Sequence, residues 1–347
     1  MVARKNRRWD EMDKTDTALE ALYKTFELYK RSEGLSDRTV VWYQEKLREY
    51  LRWLLEHGHS TKLSDFTIDL VREFELHLQT KETKHERNPF VPTKHERLSG
   101  HTIRGYVRTL KVFSSFLFEE GYTDQNLLQR LKMPKARKVE PEWLRQDEIE
   151  RLLDIFDRKT TTGSRDYAMV VTFLDTGVRC SELCTLTLDR ADLDIGELKV
   201  LGKGNKERTV PVGVRAVRAL RRYRDHFRPP VEDPHFFLTI DGKPFNVMAV
   251  ETMIRRAKRL AAIPRLHVHL LRHTFAIHYL MAGGDVFSLQ KILGHTTLEV
   301  TRIYVNMVSS QVKEKHRLYS PMDNMTMKND RAGKKPVREG VRLWRIR

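Results

Sequence analysis

Six side chains along the second half of the chain are of types that could act together on a phosphate group. Arg179 follows a glycine turn in DTGVRCSEL, and Lys203 lies between Gly202 and Gly204 in LGKGNKERTVPV. His269 and Arg272 stand three apart in HLLRHTFAIHYL, one helical turn. His295 follows Gly294 in LGHTTLEVTRIY, and Tyr304 comes nine residues later. Two arginines can fork onto the non-bridging oxygens of one phosphate and stabilise a pentacovalent transition state. A lysine held between glycines can approach a backbone closely and give a proton to a leaving oxygen. Histidines can accept a proton or hydrogen-bond a phosphoryl oxygen. A tyrosine hydroxyl can attack phosphorus and leave a phosphotyrosine ester. No paired carboxylates with metal-ligand spacing accompany the set, which argues against a two-metal nuclease.

These groups need a scaffold, and hydrophobic periodicity supplies one. Apolar residues recur at helical spacing in 17–31 (Leu19, Leu22, Tyr23, Phe26, Tyr29), and Gly34 stops that helix. Ser36 and Asp37 offer a cap to a second helix running to Gly58, and Ser64 and Asp65 precede a third over Ile68 to Leu78. Ser99 opens a fourth, and a short fifth is expected over Asn126 to Leu131. Residues 17–133 therefore read as an all-helical domain. Two prolines bracket a basic linker at 134–142. Beyond it, helices are expected at 145–156, 164–175, 214–226, 246–262, 270–282, 286–293, 298–305 and 309–318. GELKVLGKGNKERTVPVG reads as two short strands around a glycine-rich turn. Residues 143–318 are thus mainly α with a small sheet. The last 29 residues, 319–347, are polar and hold eight Lys/Arg against three Asp/Glu, the pattern of a disordered basic tail.

The connector between the third and fourth helices contains TKHER twice, at 83–87 and 93–97. Two five-residue matches make no repeat architecture. Two readings stand: a basic loop touching DNA phosphates through Lys84, Arg87, Lys94 and Arg97, with Arg104 on the next helix, or a solvated connector.

Composition limits what these elements can do. The chain has 347 residues, enough for about two domains. With 64 Lys+Arg against 47 Asp+Glu it carries +17, which points to a polyanionic partner such as nucleic acid. An apolar fraction of 40% excludes wholesale disorder. Two cysteines, Cys180 and Cys184, exclude a disulfide scaffold and cannot furnish a four-ligand zinc site; they read as small buried residues in a reducing compartment. No apolar run spans a membrane and the start lacks a signal-peptide core, so a cytoplasmic protein is expected.

The order Arg, Lys, His-x-x-Arg, His, Tyr resembles the tyrosine recombinase (integrase) family, with greatest similarity to its Xer-like and mobile-element members. TGVRCSEL resembles the first-arginine box, GKGNKER the β-hairpin lysine box, HLLRHTFA the histidine–arginine box and LGHTTLEVTRIY the box holding the second histidine and the nucleophile. The resemblance covers 143–318 strongly and 17–133 more loosely, with no catalytic position substituted. It implies an N-terminal helical core-binding (SAM-like) domain and a C-terminal catalytic domain forming a C-shaped clamp on duplex DNA. It implies site-specific recombination in which Tyr304 attacks the scissile phosphate and leaves a 3′-phosphotyrosyl link. By the same resemblance, Arg179 and Arg272 clamp the phosphate and Lys203 protonates the departing 5′-oxygen. His269 assists proton transfer from Tyr304, and His295 hydrogen-bonds the phosphate. Glu182 would orient Arg179; Lys206 and Arg208 flank the lysine and would touch phosphate; His273, about 100° round the helix from Arg272, reads as structural. The ester conserves bond energy, so neither ATP, metal nor another cofactor is expected. The expected assembly is a homodimer on each site and a homotetramer at synapsis, with residues 309–318 as the candidate intersubunit contact and accessory proteins as further partners. Two alternatives share part of this pattern: a type IB-like topoisomerase or resolvase, and a DNA-binding protein without catalysis.

Overall fold

The computed structural model describes residues 14–84, 92–135, 141–202 and 206–295, together with 297, 298, 301, 304 and 320. Arg87, Lys203, most of the linker, residues 309–318 and all of the tail except Ser320 lie outside the described residues. The chain divides into two compact units, Met1–Val139 and Glu140–Arg347.

The first unit contains four described α-helices: α1 (Leu19–Ser32), α2 (Asp37–Glu56), α3 (Ile68–Thr80) and α4 (Gly100–Glu119). Ser36, Thr67 and Ser99 each accept a backbone N–H in the first turn of the helix they precede, a contact worth about 1 kcal/mol apiece. Ser64 and Asp65, expected to open α3, instead form a separate 3₁₀ turn, and Thr67 takes over as cap. The apolar stripes meet around Phe26, Tyr50, Phe66, Phe74, Phe113 and Phe116, all at most 2% exposed. Their rings pack largely edge to face, Phe26 on Phe113 at 5.5 Å and Tyr50 on Phe74 at 5.0 Å between centroids.

The expected fifth helix over Asn126–Leu131 is absent; those residues form turns. The cause is Lys111, whose ammonium donates to the carbonyls of Leu128, Gln129 and Leu131 at 2.7–3.2 Å. Three carbonyls converging on one cation leave the chain wrapped around α4, while Ser114 and Asn126 fix its start. In the TKHER connector, Lys84 and Lys94, the equivalent positions of the two copies, form an antiparallel bridge with both N–H···O bonds made (2.8 and 3.0 Å).

The second unit comprises α5 (Gln146–Asp154), α6 (Thr161–Thr176), α7 (Cys180–Cys184), α8 (Val214–His226), α9 (Val247–Leu260), α10 (Val268–Met281) and α11 (Val286–Leu293). Its sheet has three antiparallel strands in sequence order: β1 (Ala191–Asp192), β2 (Glu197–Leu201) and β3 (Glu207–Pro211). Only β2 and β3 were expected; β1 is two residues long and too short to leave a periodic signal. Val200 faces Arg208 and Leu201 faces Glu207, and the Gly202 N–H donates to the Lys206 carbonyl (2.8 Å). α6 begins three residues before its expected start because Thr160 caps it through the Gly163 N–H. Phe173, Leu183, Leu220, Tyr223, Phe236, Phe237, Leu270 and Leu271 form the centre of the core. α6 lies against both α8 and α10 in this core, which brings its C-terminal end to the base of α10.

Candidate active site

α6 ends at Gly177, which adopts the left-handed conformation (φ 61°). A Cβ there would lie 2.4 Å from the Phe275 ring and 2.7 Å from a Leu293 methyl, so only glycine lets α6, α10 and α11 meet this closely. The turn aims the Gly177 carbonyl at Arg272, which donates to it and to the Leu293 carbonyl (2.8 Å). Arg272 is 3% exposed, yet main-chain oxygens satisfy it. Burial and then the nearby Arg179 charge lower its pKa to about 10, leaving it charged at neutral pH.

Two residues beyond Gly177, Arg179 precedes the short helix α7. Its backbone N–H donates to Glu182 Oε2 (2.7 Å), its Nη1 to Glu182 Oε1 (2.8 Å) and its Nη2 to the Gly294 carbonyl (3.2 Å). Glu182, one turn on, thus receives both the backbone N–H and the guanidinium of Arg179. The same carboxylate receives Arg208 end-on, Nη1 and Nη2 at 2.7 and 2.8 Å. Burial alone would raise the Glu182 carboxyl, but the hydrogen bonds from Arg208 and Arg179 outweigh it and hold the pKa down at about 2.

Arg208 departs from expectation. It lies on β3, turned inward rather than toward solvent, with Nε on the Ile292 carbonyl (2.8 Å) and both Nη atoms on Glu182. A buried carboxylate already flanked by one arginine draws in the second, so Arg208 braces the site instead of offering itself to phosphate. Gly294, also left-handed (φ 63°), lets this guanidinium pass: a Cβ would sit about 3.0 Å from it. Lys206 is exposed at the mouth of the hairpin, and Lys203 lies outside the described residues.

His295 is fixed at both nitrogens, Nε2 to Arg272 Nη2 (3.0 Å) and Nδ1 to Thr301 Oγ (3.0 Å). These contacts tie His295 to Arg272 on one side and to Thr301 on the other. Burial, then Arg272, Arg179 and Arg208, lower its pKa to about 4. Burial, then Arg272, His267 and Arg179, also lower His269.

Tyr304 is 3% exposed and packs with Phe275, Ala276, Ile277, Leu280, Leu289 and Leu293. Burial raises its pKa, against the opposing pull of Arg272. Its hydroxyl meets His273 Nδ1 at 2.6 Å, not His269. The structure thus brings His273, read from sequence as structural, to the Tyr304 hydroxyl. The signal was present: residues 269 and 273 are four apart, so both imidazoles share a face of α10, and their ring centroids lie 5.3 Å apart. Measuring the angle from Arg272 hid this.

Of the other expected DNA contacts, Lys84 is paired with Glu96 (3.0 Å) and Arg97 with Glu82 (3.7 Å), whereas Lys94 and Arg104 are exposed. Cys180 and Cys184 are free thiols, the first half-buried and the second buried. Among the described residues no group of three or more His, Cys, Asp or Glu could hold a metal ion, and no described helix is long and apolar enough to cross a membrane.

Residues 142–310 match the phage integrase family, an interval holding all six expected catalytic positions. Tyrosine recombinase XerC of Oceanobacillus iheyensis is 32% identical over 314 residues, covering 88% of this chain and 98% of that protein. The chain belongs to the phage integrase family of tyrosine recombinases. Tyrosine recombinase XerD of Staphylococcus aureus is 31% identical over 294 residues, covering 83% of this chain and 94% of its own length. Two solved structures share the family fold. The Tn1549 transposon integrase in complex with a circular intermediate DNA is 18% identical with a TM-score of 0.65, over 86% of this chain and 99% of that one. XerH site-specific recombinase bound to a difH substrate is 20% identical with a TM-score of 0.61, over 81% of this chain and 79% of that one. The mainly helical fold with a small sheet, read from periodicity, is the fold of this family of DNA-recombining enzymes.

Proposed function

We propose that this tyrosine recombinase acts on specific sites in duplex DNA, cutting and rejoining strands through a phosphotyrosine bond to Tyr304. The observation that carries this reading is convergence. Arg179, the His269–Arg272 pair, His295 and Tyr304 come from separate segments, yet Arg179 is held by Glu182 and Gly294, Arg272 by Gly177 and Leu293, and Tyr304 lies against the helix that carries Arg272, α10. Arg179 and Arg272 hold two non-bridging oxygens of the scissile phosphate. Tyr304 attacks phosphorus, the P–O5′ bond breaks, and the 3′ end stays on the enzyme. Lys203, from the glycine-rich segment that follows β2 in sequence, supplies the proton to the 5′-oxygen. His269, beside the arginines, contributes to proton transfer, while His295 holds Arg272 in line. The ester retains the energy of the broken bond, so resealing needs neither ATP nor a metal. Exposed Lys94, Arg104 and Lys206 suit phosphate contacts along the duplex. Two copies on each site and four at synapsis, joined through residues 309–318, are the assembly this reading requires.

The test is a duplex nicked beside the cleavage point, from which the 5′-hydroxyl fragment diffuses away. Wild-type protein should accumulate a covalent adduct, and Tyr304→Phe should bind the duplex without forming one. An adduct with Tyr304→Phe refutes the nucleophile. Exchange of arms between two supplied sites separates recombination from the nick-and-reseal action of a topoisomerase.

A further inference from the structure

We propose that His273 is the general base that takes the proton from Tyr304 as the tyrosine attacks. The proposal rests on the reading of Tyr304 as nucleophile and moves the base that accepts its proton from His269 to His273. Proximity decides between the two imidazoles of α10. His273 Nδ1 lies 2.6 Å from the Tyr304 oxygen, whereas the contact described for His269 is with the His273 ring, at 5.3 Å between centroids. A general base must reach the proton it removes, within about 2.6–3.2 Å.

The surroundings keep His273 in the form a base needs. It is half-buried on α10, facing Tyr304, with His269 and His267 near it and the Arg272 guanidinium beside it. Every charge in that set is positive or neutral, so a proton on His273 is disfavoured; burial and then His269, His267 and Arg272 lower its pKa to about 4. The ring is therefore neutral at pH 7. With its hydrogen on Nε2, Nδ1 presents a lone pair to the phenol. A scissile phosphate between Arg179 and Arg272 adds negative charge next to this ring. That charge offsets the cations that suppress its basicity, so substrate binding strengthens the base when it is needed.

The step balances without a co-reactant. The Tyr304 O–H bond breaks and its proton passes to His273 Nδ1. The phenolic oxygen forms the P–O bond, the P–O5′ bond breaks, and the 5′-oxygen receives a proton from the acid on the other side of the phosphate. In the reverse reaction His273 returns the proton to Tyr304.

The test uses the full chain and the nicked duplex, with adduct formation followed in a single turnover. His273→Ala should lower the rate about 10²-fold or more. Added imidazole should restore part of it. His273→Asn can still hold the hydroxyl but cannot take its proton, so it should stay slow at pH 7. Both variants should gain rate as pH rises toward phenol ionisation, where wild type is flat. Gel shift on the same duplex reports whether each variant still folds and binds. Wild-type rate in His273→Ala, or full recovery in His273→Asn, overturns the proposal and leaves His273 a positioning residue at most. An adduct in Tyr304→Phe would instead overturn the nucleophile itself, so the two failures are distinct.

Discussion

Arg272 and His295 are joined by a 3.0 Å hydrogen bond whose direction is fixed, because a guanidinium has no lone pair to offer. Nε2 of His295 is therefore the bare nitrogen, and Nδ1 carries the hydrogen it donates to Thr301. One tautomer of one neutral histidine thus connects the buried arginine to the turn that carries Tyr304.

That neutrality has a pH signature. His295 and His273 both titrate near 4 in the folded chain, below the ordinary histidine value of 6.5. The unfolded chain binds these protons more readily, so stability is lost as pH falls from about 6.5 to 4 and is unaffected by these groups above that range. Thermal midpoints measured across this interval should drop for wild type and flatten in a His273→Gln/His295→Gln variant. An unchanged slope in the double variant would place the acid sensitivity elsewhere.

Glu182→Gln should be strongly destabilising. The carboxylate is 1% exposed and holds two arginines, and removing one partner of a buried ion pair costs about 3–5 kcal/mol. Chemical denaturation measures the loss. Adduct formation should fall as well, since Arg179 loses the group that aims it.

Arg208→Ala and Lys206→Ala should differ in kind. Arg208 is turned into the site, so its loss should lower stability while leaving the salt dependence of DNA affinity unchanged. Lys206 is exposed, and its loss should reduce the slope of log affinity against log salt by about 1 with stability intact. Gel shifts over a salt series distinguish the two; a lowered slope for Arg208→Ala would mean that the guanidinium reaches phosphate.

Gly177→Ala should cost at least about 1–2 kcal/mol from the left-handed backbone alone, and more from the contact with Phe275. Because the Gly177 carbonyl accepts from Arg272, cleavage should fall beyond what the loss of folded protein explains. Single-turnover rates normalised to active DNA-binding protein provide the check.

Lys203→Ala should slow cleavage of ordinary DNA strongly but much less when sulfur replaces the 5′-oxygen, because a thiolate leaves without a proton. Equal slowing on both substrates would reduce Lys203 to a binding residue.

Most helices were legible from a 3.6-residue stripe, several with a polar cap before it, as Ser36 is for α2 and Asn246 for α9. The misplaced segments have tertiary causes. Asn126–Leu131 has helical spacing but yields its carbonyls to Lys111, 17 to 20 residues away. The candidate site was legible as a linear order of residue types and not as a network. Nothing local to Arg208 announces that a carboxylate 26 positions earlier will turn it inward. His273 could have been paired with His269 by spacing, but its contact with Tyr304 depends on where the chain returns after α11.

The arginines of this site are held largely by peptide oxygens: Gly177 and Leu293 for Arg272, Gly294 for Arg179, Ile292 for Arg208. A peptide oxygen is the same whichever side chain its residue bears. Positions such as 292 can therefore drift among residues of suitable size without altering the polar lining, provided the main chain follows the same course. Divergence in this pocket is constrained by the path of the backbone at two glycines more than by the identity of the neighbours that present those oxygens.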